Sequence, residues 1–348
     1  MRAAVYRGQR QVEVEDVPDP STGDGQVKVR VSRNGICGTD VHEYYAGPLF
    51  IPRSPHPLTG QQLPLTLGHE FSGTVTEVGR GVTEIYEGDR VVIEPTYRCG
   101  ECRACRSGHY NLCRLIGFPG LSGDGGMAEY AVLPQIMIHK LPDAVRLDMA
   151  ALVEPMAVAY HAAALGAVKD QERALIFGAG PIGIGLWFAL RADGVTEIDV
   201  VEPSASRRAA IEGLGARILD PTTEDVTAIV LERTRGEGVD AVYDAAGVAS
   251  VVQTALDCLA ERRTLVCVAV YDEPVATSLL DVMMREKSIK GAVSFKSGDF
   301  PAVIDLMAKG YYDTTGWVET IPMTAVVSEG FEELRAGRKM KLLIDPTL

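Results

Sequence analysis

Residues 174–190 read "ALIFGAGPIGIGLWFAL", seventeen positions without a charge, bracketed by Arg173 and Arg191. The run sits at the short edge of what spans a bilayer, about 17 to 25 residues. Four glycines and Pro181 divide it, however, into a strand-like head and a helix-like tail, so it predicts a buried strand, a tight turn and a helix. The turn is Gly178-Ala179-Gly180-Pro181-Ile182-Gly183, with G-x-G-x-x-G spacing, and Glu202 stands nineteen residues past its last glycine, at the end of the next strand-like run. Alone the glycine pattern is weak; with a strand before it, a helix after it and an acid at that distance it marks a dinucleotide site. Glycines let the N–H groups of a helix N-terminus close on a pyrophosphate, and the helix dipole favours the anion. Gly178, Gly180, Pro181, Ile182 and Gly183 are therefore expected at the phosphates. Glu202 would accept both adenosine ribose hydroxyls and repel a 2′-phosphate, which points to NAD. Arg207 and Arg208 follow five and six residues on. One is expected to stack on adenine and the other to face solvent, although either could pair with a 2′-phosphate.

Working outward from the turn, "ALIF", "EIDVV", "ARIL", "VDAVYDAA", "TLVCVAV" and "SIKGAVS" alternate with helical stretches such as "SASRRAAIEGLG" and "SVVQTALDCLA". This alternation predicts an α/β fold with a doubly wound parallel sheet. Before residue 150 the texture is β-rich. In "GQVKVRVSRNGIC", Val27, Val29 and Val31 alternate with Lys28 and Arg30, the period of a half-buried strand, and "SGTVTEVG", "GDRVVIEP" and "GMAEYAVLP" repeat the theme. A barrel or sandwich is expected there. Residues 51–67, rich in proline, predict a long irregular loop. The final fifty or so residues leave the β/α alternation, with a helix near "FPAVIDLMAKG" and a strand at "KMKLLID", and are expected to return to the first domain. The expected division is residues 1–152 with 295–348, and a dinucleotide-binding domain over 153–294.

The chain has 348 residues, room for two cores, with 46% hydrophobic and 23% charged residues. Its 47 acidic side chains outnumber 34 basic ones, a net charge of −13 that argues against nucleic acid or an anionic membrane as partner. The N-terminal segment turns polar after six residues, too soon for a secretory signal, and the protein is expected in the cytoplasm.

Seven cysteines, an odd count, fit a disulfide framework poorly. Four of them, Cys99, Cys102, Cys105 and Cys113, lie in one polar loop with C-x2-C-x2-C-x7-C spacing. Four thiolates on so short a segment suit a tetrahedral, closed and therefore structural zinc; an iron–sulfur cluster or unliganded thiols share the spacing. Cys37 in "NGICGTDVHEY", His69 and Glu70 in "LGHEFSG" and Glu154 in "ALVEPM" are scattered, and each read singly is an ordinary core or helix-start residue.

The motifs "GICGTDVH", "GHEFSGTV", the four-cysteine loop, "GDGGMAEY", "ALVEP" and "GAGPIG", in this order over the whole chain, resemble the zinc-dependent medium-chain dehydrogenase/reductase family. Within it the chain is most similar to the (R,R)-2,3-butanediol dehydrogenase branch, close to the sorbitol dehydrogenases. The resemblance implies a GroES-like catalytic domain beside the Rossmann domain, and a catalytic zinc bound by Cys37, His69 and Glu154 with Glu70 as an adjustable or alternate ligand. It also implies a proton relay through Thr39 and His42, with Asp40 tying their loop together. One thiolate, one imidazole and one carboxylate leave the fourth position open for a substrate oxygen. The implied reaction is reversible oxidation of a secondary alcohol or vicinal diol, 2,3-butanediol to acetoin, by NAD; a polyol such as sorbitol, or threonine, is the alternative substrate. A non-catalytic member of the family should have lost a ligand or relay residue, and none is missing. Family members imply a homodimer or homotetramer. Tyr44, Tyr45, Phe50 and Ile51 are candidates for the substrate wall. His56 is expected to pack in a turn, His109 and His139 at the surface, and His161, Cys258 and Cys267 in packing roles.

Overall fold

The computed structural model describes residues 1–348, which divide into two compact units. One comprises Met1–Glu154, Lys296–Lys309 and Val318–Leu348; the other comprises Pro155–Phe295 and Gly310–Trp317. The limit falls inside the helix Val153–Gly166, and Gly310–Trp317 groups with the second unit, whereas residues 295–348 were all expected with the first. Tyr312 explains the exception: its ring packs 5.2 Å from that of Phe188, which belongs to the helix Pro181–Ala192.

The first unit is built on a seven-stranded sheet and a three-stranded one. Strand Gln26–Gly35 is the spine of the larger sheet, pairing antiparallel with Glu70–Val78 and with Tyr130–Pro134. Its alternation works as expected from the sequence: Val27, Val29 and Val31 are buried against Phe71, Val75, Val91, Ile93 and Leu133. Each such side chain contributes about 1.5–3 kcal/mol through burial. Register shifts between Lys28 and Val29 and between Val31 and Arg33 bend the strand near its end. Gly35 consequently lies opposite Glu70 on one side and Leu343 on the other. This pairing brings Cys37, two residues on, beside Glu70 and beside the C-terminal strand Lys341–Asp345. Within the Pro-rich loop, Leu65 and Thr66 form a short strand against Tyr6 and Val5, order the period reading did not anticipate in that segment.

The second unit is a six-stranded parallel sheet. Numbered in chain order, its strands run 3-2-1-4-5-6, the doubly wound arrangement whose ligand crevice opens where the order reverses, beside the first strand, Arg173–Phe177. The apolar run 174–190 is strand, turn and helix, and no helix of the chain is long and apolar enough to cross a membrane. At the far edge, Ser288–Gly291 pairs only with Leu259–Cys267, and the preceding helix Leu279–Met284 exposes Leu279, Leu280, Met283 and Met284.

Candidate active site and metal centres

Cys37 ends the spine strand's path and stands at the N-cap of the helix Gly38–Ala46. The helix start is held by Asp40, whose carboxylate accepts the Cys37 N–H at 2.9 Å. The other oxygen of Asp40 lies 3.7 Å from Nδ1 of His69, and both atoms are buried with no hydrogen-bond partner. Thr39 Oγ1 is 3.6 Å from Cys37 Sγ, and His42 is half-buried one turn further along the helix. Cys37, His69 and Glu70 offer donor atoms that all lie within 4.8 Å of one another. Glu154 is buried, within the electrostatic reach of His69, Glu70 and Cys37, but stands outside that mutual group.

The donor set fits a metal dication. Burial, with the Glu70 and Asp40 carboxylates, pushes the Cys37 thiol up to about 12, and burial pushes Glu154 up to about 8. A dication at the centre would offset that burial and favour thiolate and carboxylate together. An orphaned His69 Nδ1 facing Asp40 is the arrangement that aims the other ring nitrogen at a metal.

The residue that the sequence reading overlooked is Lys341. Its buried ammonium meets Glu70 Oε2 and donates to the Ile36 carbonyl at 2.9 Å. A lysine at the head of the apolar run "KLLID", every residue of which is buried, was the available signal.

The four loop thiols gather with Sγ···Sγ separations of 3.5 Å for Cys102–Cys105, 3.5 Å for Cys99–Cys113 and 3.9 Å for Cys99–Cys105. A tetrahedron with metal–sulfur bonds of about 2.3 Å has edges of about 3.8 Å, so the set fits one ion rather than a cluster. Backbone N–H groups of Cys99, Cys102 and Leu115 point at these sulfurs at 3.4 Å and favour the thiolates. A buried network underpins the loop. Glu94 accepts from Arg98 at 3.0 Å and pairs with His139 Nε2 at 2.6 Å, while the Arg98 guanidinium lies 4.1 Å above the Tyr110 ring. His139, expected at the surface, is thus a half-buried partner of Glu94, because its strand edge faces a carboxylate from a segment 45 residues away. His109 is exposed, and His56 packs in its turn against the Ile116 carbonyl. Tyr44 packs against Phe331, and Tyr45 lies beneath Arg10 and Arg335.

In the second unit, Gly178, Gly180, Glu202 and Arg207 line a cavity of about 490 Å³ at the crevice. A Cβ at Gly183 would lie 1.8 Å from the Gly178 carbonyl, so that glycine is needed for the helix to pack on its strand. Gly180 is different. Its φ of −73° suits any residue, and a Cβ there would meet no protein atom within 4 Å. The fold does not ask for glycine at 180, whereas a phosphate seated on the helix Pro181–Ala192 does. Glu202 is fixed by the N–H groups of Ala179 and Ser204, both at 2.8 Å. Arg208 is taken by Asp220 and the Glu202 and Pro203 carbonyls, which leaves Arg207 facing the cavity with a buried, unpartnered Nε.

A doubly wound sheet with a nucleotide loop, a β-rich unit and two gatherings of metal-type donors together define a metal-dependent dehydrogenase. The chain belongs to the zinc-containing medium-chain alcohol dehydrogenase family and is a zinc-dependent dehydrogenase acting on CH–OH groups. Residues 23–143 match the model of the alcohol dehydrogenase GroES-like domain, and residues 181–309 that of the zinc-binding dehydrogenases. An (R,R)-butanediol dehydrogenase of Bacillus subtilis (strain 168) is 40% identical over 351 residues, covering 99% of this chain and 100% of the relative. The crystal structure of 2R,3R-butanediol dehydrogenase from Bacillus subtilis superposes with a TM-score of 0.94 at 39% identity, covering 99% of each chain. An alcohol dehydrogenase structure from Escherichia coli CFT073, complexed with NADH, superposes with a TM-score of 0.89 at 26% identity, again over 99% of each chain.

Proposed function

We propose that this protein interconverts 2,3-butanediol and acetoin with NAD as hydride acceptor. The observation that carries the reading is the donor set of one thiol, one imidazole and carboxylates, with no second cysteine, in a chain 40% identical along its length to an (R,R)-butanediol dehydrogenase. Cys37, His69 and Glu154 hold the catalytic zinc, and Cys99, Cys102, Cys105 and Cys113 hold the structural one. Because Lys341 already neutralises Glu70, Glu154 is the better third ligand and Glu70 the alternate. Zinc, when bound, supplies the Lewis acidity that brings an alcohol's ionisation near neutral pH, and the nicotinamide accepts the hydride.

The chain's own residues do the rest. The Thr39 hydroxyl would accept the alcohol proton while giving up its own toward His42, which would release it to solvent. Asp40 fixes the ring of His69. Gly178, Gly180, Pro181, Ile182 and Gly183 seat the pyrophosphate, Glu202 receives the ribose hydroxyls and Arg207 flanks the adenosine end. Domains follow the two compact units, with catalysis in the first and the nucleotide in the second. Free thiols fit a reducing, cytoplasmic setting. The apolar side chains beside the unpaired edge Ser288–Gly291 fit a homo-oligomer.

Initial rates of NAD reduction with (R,R)-, (S,S)- and meso-butanediol, sorbitol and threonine test the reading. The expected order places (R,R)-butanediol first; sorbitol in first place would make the chain a polyol dehydrogenase instead.

A further inference from the structure

Glu43 is fully buried in the helix that begins at Cys37, and its carboxylate accepts no side-chain donor. Three successive backbone N–H groups converge on it instead: Leu49 at 2.9 Å, Ile51 at 3.3 Å and Phe50 between them. The main-chain carbonyl of Glu43 accepts the Tyr6 hydroxyl at 3.0 Å and the Gly47 N–H at 2.9 Å. The fit is close, since a Cβ at Gly47 would lie 2.3 Å from Glu43 Oε2. Such a nest of N–H groups around an anion fixes the backbone conformation of the segment that supplies it.

The direction of the side chains follows from that. With its N–H groups turned inward, the segment anchors Ile51 in the core beside Val41 and Leu121 and holds Leu49 and Phe50 outward, 55% and 58% exposed. Two neighbouring exposed apolar side chains on a loop this firmly tied are not explained by packing. They are attached to the helix whose first turn carries Cys37 and Thr39, and Glu43 lies only about 9 Å along the helix axis from Cys37.

We propose that Glu43 is a positioning residue for substrate specificity: it sets Leu49 and Phe50 as an apolar wall that receives the terminal methyl groups of a short diol and disfavours the hydroxyl-bearing carbons of a polyol. The inference rests on the functional reading above. Glu43 touches neither substrate nor metal; it acts through the loop.

The test compares the wild type with Phe50→Ala, Glu43→Gln and the double variant, each checked for two zinc ions per chain. A glutamine retains one acceptor oxygen and turns an NH2 toward backbone donors, so the nest is broken without loss of volume. Phe50→Ala is expected to raise KM for (R,R)-butanediol about five- to tenfold with kcat within about twofold, the signature of lost uniform binding. KM for NAD should not move, and the preference for butanediol over sorbitol should shrink. Glu43→Gln should reproduce that pattern, and the double variant should be no worse than either single one. Wild-type KM and substrate preference in Phe50→Ala overturns the proposal, and so does a Glu43→Gln enzyme that loses thermal stability alone. If Glu43→Gln is insoluble, Phe50→Ala and Leu49→Ala decide. Absence of diol turnover in the wild type instead overturns the functional reading, and the same variants are then compared on whichever alcohol is turned over.

Discussion

Lys341 brings its ammonium to the carboxylate of Glu70, 271 residues upstream, and the two side chains are only 3% and 1% exposed. The pair joins the C-terminal strand to the metal-donor group, and each charge has lost its water. Replacing both partners by apolar groups can be nearly neutral in such a case, but removing one leaves an uncompensated buried charge. Lys341→Met is therefore expected to destabilise the fold by about 3–5 kcal/mol, while Lys341→Met with Glu70→Gln costs clearly less than the single change. Urea unfolding midpoints of the wild type, both single variants, Lys341→Met and Glu70→Gln, and the double variant check this.

The two thiol sites should separate on mutation. Cys102→Ser is expected to lose one zinc per chain and lower the melting temperature, because the loop it belongs to has little apolar core of its own. Cys37→Ser should keep its fold and its loop zinc yet lose at least about a hundredfold in kcat/KM. Elemental analysis and calorimetry on both variants distinguish these outcomes; equal effects of the two changes would contradict separate roles.

Gly180→Ala gives a sharp test of the nucleotide loop. No protein atom lies near the added methyl, so the melting temperature should not change. KM for NAD should rise at least about tenfold, equivalent to about 1.4 kcal/mol of lost binding. A melting temperature that falls while KM holds would mean that the glycine serves packing alone.

Acid lability should trace in part to Glu94. Burial by itself would push this carboxyl up, but hydrogen bonds from His139 and Tyr110, with Arg98 nearby, outweigh it and hold the group below its ordinary value of 4.5. A lowered native value means stabilisation that is complete above the unfolded value and is lost as pH falls through the native one. The stability gap between the wild type and Glu94→Gln is thus expected to be widest at neutral pH and to close progressively below pH 4.5, as read from urea midpoints. A gap independent of pH would contradict the assignment.

Local pattern carried much of this architecture. The alternation of Val27, Val29 and Val31 and the strand-turn-helix reading of residues 174–190 depend on neighbours in the chain, and the fold realises both. The four clustered cysteines were legible for the same reason, since their ligand spacing is itself local. Lys341 was not, because the pairing of Gly35 with both Glu70 and Leu343 is a long-range fact that no window of sequence contains. His139 reads as a surface side chain in sequence because its partner Glu94 lies 45 residues away. Glu43 lay next to His42, but the groups that meet its carboxylate are backbone donors, and backbone donors leave no mark in a sequence.

The proposed diol dehydrogenase activity depends on a zinc ion held by Cys37, His69 and a carboxylate. This dependence is tested most directly by stripping the protein with a chelator under conditions that keep it folded, then titrating zinc back while following NAD reduction with (R,R)-butanediol. Turnover is expected to fall as metal is removed and to return in proportion to the zinc bound. Full turnover in protein shown by elemental analysis to hold no metal would contradict it.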